Sequence, residues 1–307
     1  MKIKISDHQT KSEALRRALA QAGHELVKSW PDVLLIDFDA PVAHYAKTIE
    51  QAYSEGAKVL LYSHGAPVIT AWDGVWEPSD NITAYLAQSP GQKAVMEAYN
   101  YPHPVHVIGW HFCRLKKFAP AKKIENILFA PWHPHSNGWM IPQGKALNAD
   151  IFRRLAEMPY HLTVRHVRAP HQNGFEQLDG IEYQPSDMTI DGAVRAIDAA
   201  DLVITSPGTL AALAVARGKP LVMYGQDICP HDGYSAETLL YVNHWDQYKH
   251  LMRYPYDISE TKPKATQNII EYAAQREAEM WRARFIGEPM SNAAFVRLVE
   301  ELCKATP

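Results

Sequence analysis

Short apolar runs alternate along this chain with segments whose apolar residues recur at helical spacing. That alternation predicts repeated strand–helix units. Lys2 to Ser6 reads as a strand, Ser12 to Ala22 as a helix closed by Gly23, and Val33 to Phe38 as a fully apolar strand. Val42 to Ser54 reads as an amphipathic helix closed by Gly56, and Val59 to Tyr62 as the next strand. Ile82 to Leu86 and Gln92 to Tyr99 are expected as helical pieces broken at Ser89-Pro90-Gly91, before a strand from Val105 to Gly109. Arg114 to Lys123 is basic, contains Pro120 and has no apolar period, so it is expected to be a linker.

Beyond it the alternation restarts. Strands are expected at Ile127 to Ala130, Leu162 to Val167, Ile181 to Tyr183, Leu202 to Thr205 and Leu221 to Tyr224. Helices are expected at Ala146 to Glu157, Ile190 to Ala199 and Leu210 to Arg217, then a long one from Lys264 to Phe285 and a terminal one from Asn292 to Lys304. Strands that alternate with helices imply parallel sheets covered on both faces. The expected fold is α/β, with two doubly wound parallel-sheet domains facing a cleft and C-terminal helices bracing them. Residues 1–118 would form the first domain and 119–307 the second, with helix 291–304 packing back on the first.

Composition narrows the function classes only slightly. The chain has 307 residues, 47% hydrophobic and 21% charged, which suits a globular protein of two domains. No apolar run approaches the roughly 20 residues of a membrane span, and the N-terminus lacks a signal-peptide core. Cys113, Cys229 and Cys303 are odd in number and far apart, so no disulfide framework is expected. These features lead to an expectation of a cytoplasmic protein. A net charge of -3 gives no push toward a general polyanion binder.

The candidate chemistry centres on Ala200 to Gly225, which reads as strand, turn, helix, turn, strand. At the carboxyl edge of a parallel strand, free amides and a helix N-terminus favour an anion. Ser206, Gly208 and Thr209 are the expected phosphate cradle, although Pro207 removes one amide from the turn. The plain alternative is a Ser or Thr N-cap that merely closes the helix. His64 follows an apolar strand and precedes a glycine, and a histidine with a pKa of about 6.5 suits a general base. Asp37, with Asp39 beside it, is the reserve base. Gln226, Asp227, His231 and Asp232 follow the strand after Gly218-Lys219-Pro220 and could meet hydroxyls of a ligand. Trp72 and Trp76 read as a loop near His64. No dinucleotide fingerprint, P-loop or zinc spacing occurs in the sequence.

Four stretches carry a resemblance. They are Tyr62-Ser63-His64-Gly65-Ala66-Pro67, Tyr85 to Gly109 ending in VHVIG, Ile127 to Pro134, and Asp201 to Tyr224 with its Ser/Gly turn and GKP. Together they resemble the GT-B glycosyltransferases, and within them the CDP-glycerol glycerophosphotransferase and capsule-polysaccharide transferase type. The non-hydrolysing UDP-GlcNAc 2-epimerases are a neighbouring relative. The resemblance implies that the loop carrying His133, His135, Ser136 and Asn137 faces the leaving group, and that Arg165 and His166 meet the donor phosphates. It implies transfer of a sugar or related group from a nucleotide-diphosphate donor to an acceptor hydroxyl, without a metal or a separate cofactor. One departure stands out. The family's acidic residue after the Ser/Gly turn falls at Ala212 or Leu213, neither of which can accept a hydrogen bond from a donor hydroxyl.

Two alternatives stand beside this reading: a nucleotide-sugar 2-epimerase, against which the missing acid counts, and a non-catalytic nucleotide-binding member, which it keeps open. The acceptor is open among a glycan, a lipid-linked intermediate, a protein and a modified DNA base.

Overall fold

The computed structural model describes residues 1–6, 13–38, 42–63, 80–98, 101–131, 142–167, 174–187, 189–226 and 253–304. The chain divides into two compact units, one made of Met1–Arg114 and Arg282–Pro307, the other of Leu115–Trp281.

The first unit is built on a six-stranded parallel sheet in the order β2-β1-β3-β4-β5-β6. Its strands are β1 (Lys2–Ser6), β2 (Glu25–Leu26), β3 (Val33–Phe38), β4 (Lys58–Ser63), β5 (Ala84–Ala87) and β6 (Val105–Val107). Helices α1 (Glu13–Gln21), α2 (Val42–Ser54) and α3 (Pro90–Ala98) belong to it, as do α8 (Glu279–Phe285) for the most part and α9 (Asn292–Lys304). The central strands β3 and β4 read as apolar runs because both of their faces are covered, whereas β1, nearer the edge, alternates lysine with isoleucine. Val33 and Leu35 pack with Leu15, Leu19, Phe295 and Val299 on the α1/α9 face. Leu34 and Ile36 pack with Ile49 and Ala52 of α2 on the other. Helix α1 ends where the amides of Gly23 and His24 return to the carbonyls of Ala20 and Leu19 at 3.0 and 3.1 Å, a Schellman closure.

One expected element changes type here. Ala84–Ala87 is a strand, not part of a helix, and it pairs with both β4 and β6. Ala-Tyr-Leu-Ala has no period to declare itself, and burial between two neighbours decides it. Ser89-Pro90-Gly91 is likewise not a break between helices but the start of α3. The Ser89 hydroxyl accepts from the Gln92 amide at 3.0 Å, and Pro90 takes the first helical position.

The second unit carries a five-stranded parallel sheet in the order β11-β10-β7-β8-β9. The strands are β7 (Asn126–Ala130), β8 (His161–His166), β9 (Glu182–Pro185), β10 (Leu202–Thr205) and β11 (Leu221–Met223). Its helices are α4 (Pro142–Ala156), α5 (Ile190–Ala199), α6 (Thr209–Ala216) and α7 (Pro263–Ala273). Ile127, Phe129, Leu202 and Ile204 pack one face against Ile151, Phe152 and Ile270. Helix α6 is apolar on every side, and Ala211 through Ala216 are all buried.

The expected long helix from Lys264 to Phe285 is two helices, α7 and α8. No proline or glycine marks the break. The Ala274 carbonyl instead accepts from the Ala121 amide at 2.8 Å, and the Gln275 side chain bonds the Ala121 carbonyl. The basic stretch before β7 is therefore tied into the second unit. Its Lys116 and Ala119 amides bond the carbonyls of Ala216 and Gly218 at 2.8 and 2.9 Å. Gly218 has φ +70, and a Cβ there would stand 2.0 Å from the Lys117 carbonyl oxygen, so this crossing requires glycine. Lys219 donates to the carbonyls of Asp198 and Ala200 at 2.9 and 2.6 Å, capping the end of α5. The Gly-Lys-Pro signature is thus a packing device at the amino edge of the sheet.

Candidate functional site

Strand order points to a candidate site in the second unit. The chain reverses direction across the sheet between β7 and β10, and in an open parallel sheet the crevice beyond that reversal is where ligands bind. The two strand ends are joined there by the Thr205 hydroxyl, which donates to the Ala130 carbonyl at 3.0 Å. A short turn then leads into α6 at Thr209.

The start of that helix is open. Gly208 is the N-cap and supplies no side chain to close the first turn. Ala212 is the first amide to bond within the turn, to the Gly208 carbonyl at 3.2 Å. Among the described residues none accepts from the amides of Thr209, Leu210 or Ala211. A helix end without partners is a place for an anion or water. Gly208 is extended, at φ 165 and ψ -174, a conformation that other residues also adopt. Ser206 is buried and Thr209 half-buried, and neither hydroxyl has a hydrogen-bond partner among the described residues. The plain Ser or Thr N-cap is therefore not what forms here. Ala212 and Leu213 are apolar and buried in the core, so neither position offers a carboxylate to a ligand.

Arg165 lies near the end of the next strand. It is buried, and its Nη2 donates to Asp187 Oδ1 at 2.9 Å. Arg195 reaches the other oxygen of Asp187 at 3.2 Å, and the Thr189 amide donates to Oδ1 at 3.1 Å. The Thr189 amide and the Arg165 guanidinium hold the Asp187 carboxyl below its ordinary range. Arg165 is thus oriented by a carboxylate that offsets part of its charge. His166 lies beside the Tyr183 ring, 6.4 Å between centroids. Asp187 was not legible as a partner, although its place just before the Thr189 N-cap of α5 is a helix-start signal.

Gln226, read from sequence as a ligand contact, is used internally. It is buried, donates to Asp257 Oδ2 at 2.7 Å and accepts from the Tyr254 amide at 2.7 Å. In the first unit the reversal falls between β1 and β3. Asp37 lies near the carboxyl end of β3, paired in register with Tyr62. β4, which His64 follows in sequence, stands one strand away from that reversal. His64, Asp39, Trp72, Trp76, His133, His135, Ser136, Asn137, Asp227, His231 and Asp232 lie outside the described residues. Among the described residues no group of His, Cys, Asp and Glu could hold a metal ion, and no helix is long and apolar enough to cross a membrane.

No family model matches the sequence, and no curated protein matches it significantly. Solved structures do match. The wall teichoic acid polymerase TagF, soaked with CDPG, aligns at a TM-score of 0.56 and 9% identity, over 99% of this chain and 88% of its own. The Methanocaldococcus jannaschii UDP-GlcNAc 2-epimerase, in complex with UDP-GlcNAc and UDP, aligns at 0.53 and 12%, over 97% and 82%. The calicheamicin glycosyltransferase CalG4 aligns at 0.50 and 12%, over 100% and 99%. The fold is that of the GT-B glycosyltransferases. GT-B proteins that transfer groups and one that epimerises a nucleotide sugar stand at comparable distances from this chain, so the shared architecture does not choose between those chemistries.

Proposed function

We propose that this chain transfers a sugar or a related group from a nucleotide-diphosphate donor to an acceptor hydroxyl, without a metal ion or a separate cofactor. The observation that carries the reading is the uncapped start of α6 at the β7/β10 reversal. A diphosphate would supply the acceptors that the amides of Thr209, Leu210 and Ala211 lack among the described residues, with the hydroxyls of Ser206 and Thr209 as further donors. Those fixed donors would stabilise the charge that builds on the departing nucleotide. Arg165 and His166 contribute beside them, Arg165 with its charge partly offset by Asp187. His133, His135, Ser136 and Asn137 would meet the leaving group, and Asp227 a hydroxyl of the transferred group. His64 is the proposed base that takes the acceptor proton, with Asp37 in reserve. The acceptor stays open among glycan, lipid-linked intermediate, protein and modified DNA base.

A second reading, a nucleotide-binding member without transfer activity, draws on the buried apolar pair Ala212 and Leu213, which leaves out the family's acidic contact. The same pair argues against a 2-epimerase.

A thermal-shift panel of UDP, CDP, GDP and their sugars tests the donor site. A ligand at about a hundred times its Kd adds about 2.7 kcal/mol to stability, enough to move Tm by several degrees. If no nucleotide moves it, the donor reading fails. Isomerisation of UDP-GlcNAc without an acceptor would establish the epimerase instead. His64→Ala is expected to remove turnover and leave nucleotide affinity nearly unchanged. Donor binding without turnover in the unaltered chain, across acceptors of all four classes, would leave the non-catalytic reading.

A further inference from the structure

At the amino edge of the first unit's sheet, far from the carboxyl edge, residues 28–31 cross from β2 to β3. Both ends of this crossing are pinned. The Val27 amide bonds the Ile3 carbonyl at 2.9 Å, the Lys2 amide donates to Asp32 Oδ2 at 2.7 Å, and the Asp32 carbonyl accepts from the Lys58 amide at 3.0 Å. At the top stands Trp30, with φ 53, the one positive value outside glycine among the described residues. A large side chain rarely adopts that conformation, and Pro31 restricts it further. The result is a tryptophan 68% exposed to solvent and held outward by a closed turn. Exposure of this kind comes from the geometry of the crossing, not from a loose end.

Trp30 borders a groove of about 140 Å³ between the crossing and α2, floored by Leu34 and Lys4 and walled by Thr48, Gln51 and Glu55. Gln51 Nε2 donates to Glu55 Oε1 at 2.9 Å, so the two side chains lie together on the wall of the groove. Lys4 is half-buried, and its ammonium has no acceptor among the described residues.

We propose that this groove is a binding subsite for one pyranose ring of an oligosaccharide. An indole face packs against the C–H face of a pyranose, while the ammonium, amide, hydroxyl and carboxylate meet its hydroxyls. The volume is well under the roughly 300 Å³ of a pocket for a drug-sized ligand, so a single ring is the right scale. A protein partner would instead want apolar neighbours around the tryptophan. The nearest exposed hydrophobics point elsewhere. Leu26 pairs with Ile3 and so shares the α1 face of the sheet, opposite to Lys4 and Leu34. Tyr53 follows Ala52 by about 100° around α2, off the stripe that carries Thr48, Gln51 and Ala52. A lone exposed indole beside a groove lined by Lys4, Thr48, Gln51 and Glu55 as well as by Pro31, Leu34 and Ala52 suits the mixed polar and apolar faces of a sugar ring.

The proposal stands without the transfer reaction, because it concerns binding only. Maltohexaose, cellohexaose, chitohexaose and mannohexaose, each at millimolar concentration, are titrated into the full chain and read by saturation-transfer NMR. At least one is expected to bind. Trp30→Ala should weaken that binding about tenfold, and Gln51→Ala should weaken it by a smaller factor. A cooperative thermal transition close to that of the unaltered chain shows that both variants are folded. Trp30→Phe serves as a second check and should retain part of the affinity. Absence of binding by all four sugars, or equal binding in Trp30→Ala, overturns the proposal. A concentration-dependent dimer that Trp30→Ala abolishes also overturns it, and assigns the surface to a second copy of the chain.

Discussion

Two turns in this protein have nearly the same sequence and opposite outcomes. Each follows a buried strand, and each reads Ser-Pro-Gly, at Ser89 to Gly91 and at Ser206 to Gly208. After the first, α3 starts at Pro90, and the structure closes the helix end on itself. The Ser89 hydroxyl takes the Gln92 amide, and Gln92 Oε1 takes the Gln88 amide at 2.7 Å. After the second, α6 starts only past the motif, at Thr209, with Gly208 as its cap. Ser206, the counterpart of the capping Ser89, lies two residues before the cap, and its hydroxyl takes no amide among the described residues. Thr209 is the counterpart of Gln92. A glutamine is long enough to reach back to an amide before the helix, and a threonine is not. A later helix start thus turns a closed end into an open one.

The largest expected effect is at the closed turn. Gln92→Ala removes buried bonds to the Gln88 amide and the Tyr85 hydroxyl and should cost about 3 kcal/mol, read by denaturant unfolding. Next, Gly91→Ala should cost about 2 kcal/mol by the same measurement, because its Cβ would stand 2.4 Å from Arg284 Cγ and 2.5 Å from the Arg284 carbonyl oxygen. Ser89→Ala should cost about 1 kcal/mol. The open turn should respond with the opposite sign. Gly208→Asp places a carboxylate at the cap and should stabilise the chain by about 0.5 kcal/mol while weakening UDP or CDP binding in the thermal-shift panel. A stable variant with unchanged nucleotide affinity would erase the contrast between the two turns. The smallest effect is on acid sensitivity. The Asp187 carboxyl is depressed in the folded chain, so its contribution is present above the ordinary carboxylate value of about 4 and lost as pH falls through the lower folded value. Asp187→Asn should flatten that part of the acid-unfolding curve, read as denaturant midpoints measured across the same pH range.

Much of the architecture was legible because both sheets are buried on two faces. Strands such as Val33–Phe38 and Leu202–Thr205 then appear as nearly unbroken apolar runs, and helices such as Asn292–Lys304 show their period. The misreadings share a cause. Ala84–Ala87 carries no period and becomes a strand because two neighbours bury it. The break after Ala273 has no breaker residue and arises because Ala121 takes a carbonyl from far along the chain. At the site, Ser206, Gly208 and Thr209 could be singled out by residue type, since small and hydroxyl-bearing residues after a strand point to an anion. The partner of Arg165 and the internal use of Gln226 could not, because Asp187 and Asp257 reach them through space.

Local period and side-chain type were enough to set the two runs of strand–helix units and the apolar character of α6, so these could be read along the chain. Which of the two Ser-Pro-Gly turns stays open is decided in the folded molecule, with the residue after the motif, Gln92 or Thr209, as a local difference. The strand order sets one of them at the β7/β10 reversal, and the place where its helix begins withdraws the capping side chain. Where an amide bonds a distant segment, as that of Ala121 bonds the Ala274 carbonyl, no local pattern encodes its partner.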